Sequence, residues 1–308
     1  AVSPITSPGS LTPVIELNST LTLIDSELGT NYIGLSEFKK NITKKTRALI
    51  VTHPGGFPIP QIQEIVNYAH KKDIYVIEDC SQAHGAICQN KKVGSFGDIS
   101  IWSTMFSKTI STGGTGGVIY TKNKKTYNQI RSFSDRGKPF HKKGLDLRNP
   151  QNMNFPSMNF NLNEISCSIG SSVLSRASKI IKKRQNLFTS IAEKIRLISG
   201  LEMFVPCDIR NISPFYCPVF VEEGLFRVNK TNFARAVLKE GIPLNPHYLE
   251  LVSEWNWVKE YISGNSFTPN AKKFRDKTFN LYLHEGYTNK EVEYIYSSLS
   301  KVKDYFLV

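Results

Sequence analysis

"TRALIVTHPGGFPIPQIQEIVNYAHKKDIYVIEDC", residues 46–80, holds two apolar runs on either side of an amphipathic one. "TRALIVTH" (46–53) reads as a buried strand. Pro60 stands where a helix can start, because the N–H it lacks is one that a first helical turn leaves unpaired anyway. Ile62, Ile65, Val66 and Ala69 then recur at helical spacing. "IYVIEDC" (74–80) is the next strand. Strand, helix and strand in this order are the signature of a parallel sheet covered by helices. In such sheets the ligand crevice lies beyond the carboxyl ends of the strands, which places Glu78 and Asp79 where chemistry usually happens.

Further along, "ISIWS" (99–103) and "GGVIYT" (116–121) are two more strand candidates, and Lys108 sits on the loop between them. From about Leu162 the pattern turns to long helices, two in succession through "ISCSIGSSVLSRASKIIKKRQNLFTSIAEKIRLIS". A strand candidate "FYCPVF" (215–220), a helix "NFARAVLKEG" ending at a glycine, and a closing helix around "NKEVEYIYSSLSKV" follow. The expected organisation is a large α/β domain over residues 1–185 and a smaller C-terminal α/β domain over 186–308. No internal repeat or low-complexity segment interrupts it.

With 308 residues, 40% of them hydrophobic, the chain can bury a sizeable core. The net charge of +13 favours anionic ligands, but the lysines are scattered along the sequence and form no stripe. Charge alone would suit a nucleic-acid binder as well as an enzyme. Cys80, Cys88, Cys167, Cys207 and Cys217 are odd in number and lack CxxC spacing, which argues for reduced thiols in the cytoplasm and against a disulfide framework or zinc site. No apolar run reaches the length of a membrane span, and "AVSPITSPGS" lacks the regions of a signal peptide. The absent initiator methionine suggests that further sequence precedes Ala1.

A strand-end aspartate and a loop lysine together suit one cofactor chemistry. Pyridoxal 5'-phosphate needs a lysine amine to form an imine with its aldehyde, and a carboxylate beside the pyridine nitrogen to keep that nitrogen protonated. It also needs hydroxyl and N–H donors for its phosphate. Asp79, Lys108 and Ser103 supply these groups from adjacent strand ends. Taken singly, each has an ordinary explanation as a cap or a solvated charge.

"VIEDCSQAHGA" (76–86) and "KVGSFGDISIWSTMFSKTISTGGTGGVIYTKN" (92–123) resemble the signature of the DegT/DnrJ/StrS-type sugar aminotransferases, which are fold-type I pyridoxal phosphate enzymes with a mainly parallel central sheet. The resemblance continues through "SDRGKPF" (134–140), "MNFNLNEISCSIGSSVL" (158–174), "EGIPLNPHY" (240–248) and "LYLHEGYTNKEVEYI" (281–295), so it covers essentially the whole chain. It implies that Asp79 pairs with the pyridinium nitrogen, Gln82 contacts the ring's 3-hydroxyl side, and Ser103 binds the phosphate. Lys108 would be the Schiff-base lysine and proton shuttle. Asn159 would reach across a homodimer interface to the neighbouring subunit's phosphate. The implied reaction moves an amino group from an amino-acid donor, glutamate in the family, to a keto sugar that is nucleotide-linked, with ping-pong kinetics.

Three departures from the family pattern stand out. The family's opening section, with a Ser-Gly-Thr helix N-terminus that grips the phosphate, would lie before Ala1. Thr115 replaces an acidic residue in "GGTGG", and Asn161 stands where relatives carry a basic or aromatic residue. Relatives with histidine at the lysine position catalyse a dehydration, and Lys108 argues against that reaction. A catalytically silent relative with a structural or regulatory role is the rival reading. His84 fits either a place near the cofactor or a structural hydrogen bond behind the sheet. Arg136 and Lys138 are candidates for a substrate phosphate or carboxylate, or for plain surface charge. His247 and Tyr248 border the substrate cleft in the family, or else pack between domains, and Trp255 and Trp257 read as packing aromatics.

Overall fold

In the computed structural model, which describes residues 1–308, two short helices, α1 (Thr12–Glu16) and α2 (Leu35–Asn41), precede the first strand. β1 (Ala48–Thr52), α3 (Ile62–His70) and β2 (Tyr75–Asp79) then follow where the apolar periodicity puts them. The buried residues of α3 are Ile62, Ile65, Val66 and Ala69. β1 and β2 pair in parallel, with Thr52 opposite Asp79 at their carboxyl ends. A small hairpin of β3 (Ile87–Cys88) and β4 (Lys91–Lys92) turns through Gln89 and Asn90, both at positive φ.

β5 (Ile99–Ser103) pairs in parallel with β2, and β6 (Gly117–Tyr120) completes the order β1-β2-β5-β6. β6 runs antiparallel to β5. Residues 104–116 between them contain no helix, so the chain doubles back instead of crossing over. The central sheet is therefore mainly parallel with one reversed edge.

α4 (Lys124–Ser134), α5 (Glu164–Ser175) and α6 (Ala177–Ile195) come next, the last two parted only by Arg176. Asn163 caps α5 by accepting from Ser166 N, since the first turn leaves that N–H without a helical partner. The second sheet is built from β7 (Leu201–Met203), β8 (Tyr216–Val221), β9 (Leu244–Asn245) and β10 (Thr278–Tyr282), in the order β7-β8-β10-β9 and antiparallel throughout. α7 (Lys230–Lys239), α8 (Pro269–Lys277) and α9 (Asn289–Phe306) accompany it. A capping box between Thr288 and Glu291 starts α9.

Position 185, where the sequence suggests a division, lies inside α6. Arg184 on this helix donates to the carbonyls of Pro214 and Phe215, and Gln185 donates to that of Ile212. One apolar cluster runs from Leu49, Val51 and Val76 of the first sheet through Phe188 of α6 to Val219 and Phe279 of the second. Phe57, fully buried, meets Phe188 and Phe204 edge-on at centroid distances of 6.0 and 5.3 Å.

Residues 1–3 lie along β1, and the chain then passes to the 250 loop and the end of β2. Ile50 N donates to Ala1 O, Ser3 N donates to Ile50 O, and Thr6 N reaches Glu250 O at 3.1 Å. All five cysteines are free thiols, and no helix is long and apolar enough to cross a membrane.

Candidate active site

Successive side chains of a strand point to opposite faces, so Glu78 and Asp79 part company at the end of β2. Glu78 is fully buried on the far side. Its Oε1 accepts from Phe96 N and Gly97 N at 2.7 and 2.6 Å, and its Oε2 from Gly94 N at 2.7 Å and the His53 Nε2 at 3.3 Å. Ile59 N donates to His53 Nδ1, which leaves the ring proton on Nε2, facing the carboxylate. Burial works to raise the Glu78 pKa, but the His53 ring and the Gly97 and Gly94 N–H groups outweigh it and hold the carboxyl below its ordinary range. Glu78 does not face the crevice as its strand-end position suggests. It fastens the 94–97 turn and the 53–59 loop to the strand.

Asp79 faces the crevice. Its Oδ1 accepts from Ser81 N at 3.0 Å and its Oδ2 from Ser10 Oγ at 2.5 Å. Behind Ser10 stands a short chain of hydroxyls, with Thr6 Oγ1 at 2.8 Å from Ser10 Oγ and Thr52 Oγ1 donating to Thr6 at 3.1 Å. Gln82 is held by Gly55 N, which donates to its Oε1 at 2.7 Å, while its Nε2 lies 3.5 Å from the Tyr248 hydroxyl. The turn that presents Gly55 requires glycine. Gly56 has φ near 86°, and a Cβ there would lie 1.8 Å from Ser213 O.

Lys108 rides on a loop closed at its base. Thr104 N donates to Gly116 O, Phe106 N to Gly114 O and Thr112 N to Thr104 O. A Cβ on Gly116 would come within 2.7 Å of Thr104 Oγ1, so the "GGTGG" stretch provides the close approach that shuts the loop. The Lys108 amine sits 5.0 Å from the centre of the Phe215 ring. Burial lowers its pKa, while the Asp79 and Glu250 carboxylates pull in the opposite direction. Ser103 ends β5 beside it, with Met105 N donating to its Oγ at 3.4 Å.

Asp79, Gln82, Ser103, Lys108 and Tyr248 line one cleft of about 790 Å³, together with Thr6, Ser10 and Asn161. The other expected residues stand outside it. Asn159 is exposed and bridges to Asp135, with its Oδ1 accepting from Asn161 N. Arg136 and Lys138 both pair with Asp135, at 2.7 Å each. His247 lies against Lys230 Nζ at 3.3 Å, and burial, with Arg275 and Lys230 nearby, lowers its pKa. His84 hydrogen-bonds the end of β5. It is buried, its Nε2 is 2.9 Å from Ser103 O, and burial pushes its pKa down to about 4. Trp255 and Trp257 stack at 5.6 Å, with the Trp255 indole N–H donating to Leu249 O.

Ser10, Thr6, Thr52 and Glu250 are the site residues that sequence reasoning missed. A Ser/Thr/Pro/Gly-rich opening reads as loop, and only the Asp79 contact gives Ser10 a role.

The arrangement fits pyridoxal phosphate. A buried carboxylate at the cleft wall suits the pyridine nitrogen, a partly buried amine over an aromatic ring suits the aldehyde carbon, and the Ser103 hydroxyl suits a phosphate.

Comparison with known proteins agrees. The chain is 23% identical over 307 residues to the GDP-perosamine synthase of Vibrio cholerae, covering 99% of this chain and 79% of that one. It is 30% identical over 186 residues to the GDP-perosamine synthase of Escherichia coli O157:H7, covering 60% of this chain and 49% of that one. Among solved structures, Helicobacter pylori PseC, an aminotransferase of pseudoaminic acid biosynthesis, matches with a TM-score of 0.89 at 20% identity, over 99% of this chain and 79% of that one. An aminotransferase from Psychrobacter cryohalolentis matches with a TM-score of 0.88 at 22% identity, over 99% and 81%. These structural likenesses establish the fold, and residues 1–300 match the model of a whole family. The chain belongs to the DegT/DnrJ/EryC1/StrS aminotransferase family, a family of pyridoxal phosphate enzymes.

Proposed function

We propose that the protein transfers an amino group from an amino acid, glutamate in the first instance, to a nucleotide-linked keto sugar in polysaccharide or secondary-metabolite biosynthesis, working as a cytoplasmic homodimer. The observation that carries this reading is the convergence of Asp79, Gln82, Ser103 and Lys108 on one cleft. The names of relatives support the substrate class. They include a UDP-4-amino-4,6-dideoxy-N-acetyl-beta-L-altrosamine transaminase of Campylobacter jejuni and a dTDP-3-amino-3,6-dideoxy-alpha-D-galactopyranose transaminase of Aneurinibacillus thermoaerophilus.

When bound, the cofactor supplies a carbonyl that amines attack and a ring that accepts electrons from the adjoining carbon. The chain supplies the rest. Asp79, kept in place by Ser10 Oγ and Ser81 N, presents a carboxylate where a protonated ring nitrogen needs one. Ser103 offers a hydroxyl to a phosphate, and Gln82, clamped by Gly55 N, borders the ring position. Lys108 carries protons at its Nζ. Its burial lowers the pKa, so more of the amine is free to accept a proton at neutral pH. Asn159, exposed and outside its own cleft, is suited to completing the site of a second subunit.

The test is to add pyridoxal phosphate to the purified chain and reduce with borohydride. A visible absorbance band is expected, the cofactor should be found by mass spectrometry on Lys108, and Lys108→Ala should lose both. Amino groups should then pass from glutamate to a nucleotide keto sugar. A wild type that fixes no cofactor would leave the catalytically silent reading standing.

A further inference from the structure

Arg184, buried on α6, donates its Nε to Pro214 O at 2.8 Å and its Nη2 to Phe215 O at 3.0 Å, while its Nη1 pairs with Glu285 Oε2 at 2.8 Å. Burying a guanidinium is costly, and this one is spent on two successive carbonyls of a single loop. The same loop is fastened from its other side. Ser213 N donates to Gly56 O and Phe215 N to Gly55 O, each at 2.9 Å. That approach depends on glycine, since a Cβ on Gly56 would collide with Ser213 O. What stands on this doubly pinned loop is the Phe215 ring, and the Lys108 Nζ lies over it at 5.0 Å from its centre. A cation within about 6 Å of a ring centre is attracted to the ring face.

We propose that Phe215 is a positioning residue for Lys108, its ring face holding the amine in place, and that Arg184 and Glu285 act through it by fixing the 213–215 loop. This rests on the assignment of Lys108 as the cofactor lysine. The long flexible stem of a lysine leaves a free amine able to swing toward the Asp79 carboxylate, which lines the same cleft. An amine paired there would take the carboxylate away from the ring nitrogen. An aromatic face attracts the ammonium without engaging it as a carboxylate does, so it keeps the amine close and leaves Asp79 free. One peptide ties this arrangement to the rest of the site. Gly55 O holds Phe215 N and Gly55 N holds Gln82 Oε1, so the loop under Lys108 and the side chain that borders the cofactor ring are set together.

The experiment uses the full chain without cofactor, so that its outcome is separate from the borohydride trapping that tests the aminotransferase reading. Lys108 is labelled with acetic anhydride across a pH series and quantified by mass spectrometry, which reports the pH at which the amine loses its proton. The charged groups that act on Lys108 are Asp79 and Glu250, with His84 nearby, and every variant leaves them in place. Phe215→Leu removes the ring and keeps most of its bulk, and it should lower the labelling midpoint by about half a unit to one unit. Phe215→Tyr keeps the ring and should leave the midpoint where it is. Arg184→Lys keeps the charge but loses the fork that spans two carbonyls, and it should lower the midpoint by part of that shift. Combined with Phe215→Leu, it should produce no further fall, because it acts through the ring. Circular dichroism and thermal melts confirm that each variant is folded. Should Arg184→Lys not fold, Glu285→Gln, at the more exposed end of the ion pair, replaces it with the same expectation. A folded Phe215→Leu with an unmoved Lys108 midpoint overturns the proposal, as does a Phe215→Tyr that shifts as far. A double variant that falls well below Phe215→Leu alone overturns the part given to Arg184.

Discussion

Two neighbouring residues, Glu78 and Asp79, carry the same chemistry and do different work because the strand turns them to opposite faces. Asp79 is available to a cofactor, while every acceptor direction of Glu78 is taken up by the protein. His84 shows the same dependence on surroundings. Its Nε2 touches Ser103 O, and its pKa of about 4, against an ordinary 6.5, means that the folded state favours the neutral ring. A lowered histidine pKa contributes stability that is complete above pH 6.5 and is lost as the pH falls toward 4, about 3 kcal/mol in all. Urea unfolding of the wild type should therefore lose about 2 kcal/mol between pH 7 and pH 5 through this group. His84→Asn should be less stable at pH 7 but should show a flatter pH dependence. Parallel pH dependences in the two proteins would show that His84 does not titrate in this way.

At the scale of elements, the crevice is made by the ends of β1, β2 and β5 and closed by loops that are pinned from behind. Glu78 ties β2 to the 94–97 turn and, through His53, to the loop that presents Gly55 to Gln82. Glu78→Ala leaves four buried donors without an acceptor and should cost about 3–5 kcal/mol in urea unfolding, a magnitude set by losing one side of a buried network. Glu78→Gln, which keeps one acceptor oxygen and so two of the four contacts, should cost less. A surface-like loss below about 1 kcal/mol for the alanine variant would mean that water replaces the carboxylate. β1, β2, β5, β6, β8, α3 and the paired helices α5 and α6 were legible as apolar runs or helical periods, whereas β3, β4, β7, β9 and β10 were not read. The reversal of β6 was not legible either, since four apolar residues after a glycine-rich loop look the same in either direction.

For the whole molecule, the proposed homodimer is tested at Asn159, which is exposed and stands outside the cleft of its own chain. If Asn159 serves the partner's site, mixing Lys108→Ala chains with Asn159→Ala chains should regenerate intact sites in the hybrids. Transaminase activity should rise above that of either variant alone, up to about a quarter of wild type for random pairing of twofold dimers. Sedimentation should show a dimer. Activity that stays at the sum of the two variants would place Asn159 in its own subunit's structure only. The apolar cluster that joins the two sheets through α6 explains why the cleft keeps its shape. Phe188 and Phe57 pack at the junction from which both Gly55 and Phe215 enter the site.

Legible in the sequence were the fold class, the strands β1, β2, β5 and β6 in chain order, and the candidate site residues Asp79, Gln82, Ser103 and Lys108, which the structure brings to one cleft. The strands follow from local periodicity, Asp79, Ser103 and Lys108 from chemistry-bearing residues at neighbouring strand ends, and Gln82 from the family resemblance. Tertiary structure alone decided the contacts of Ser10 and Thr6, the placement of Arg136 and His247 outside the cleft, and the structural use of Glu78. Those depend on contacts between distant segments, such as Ser10 with Asp79 and Thr6 with Glu250, which no spacing within the chain encodes. Whether a carboxylate faces a cavity or a ring of N–H donors is settled only when the chain has closed around it.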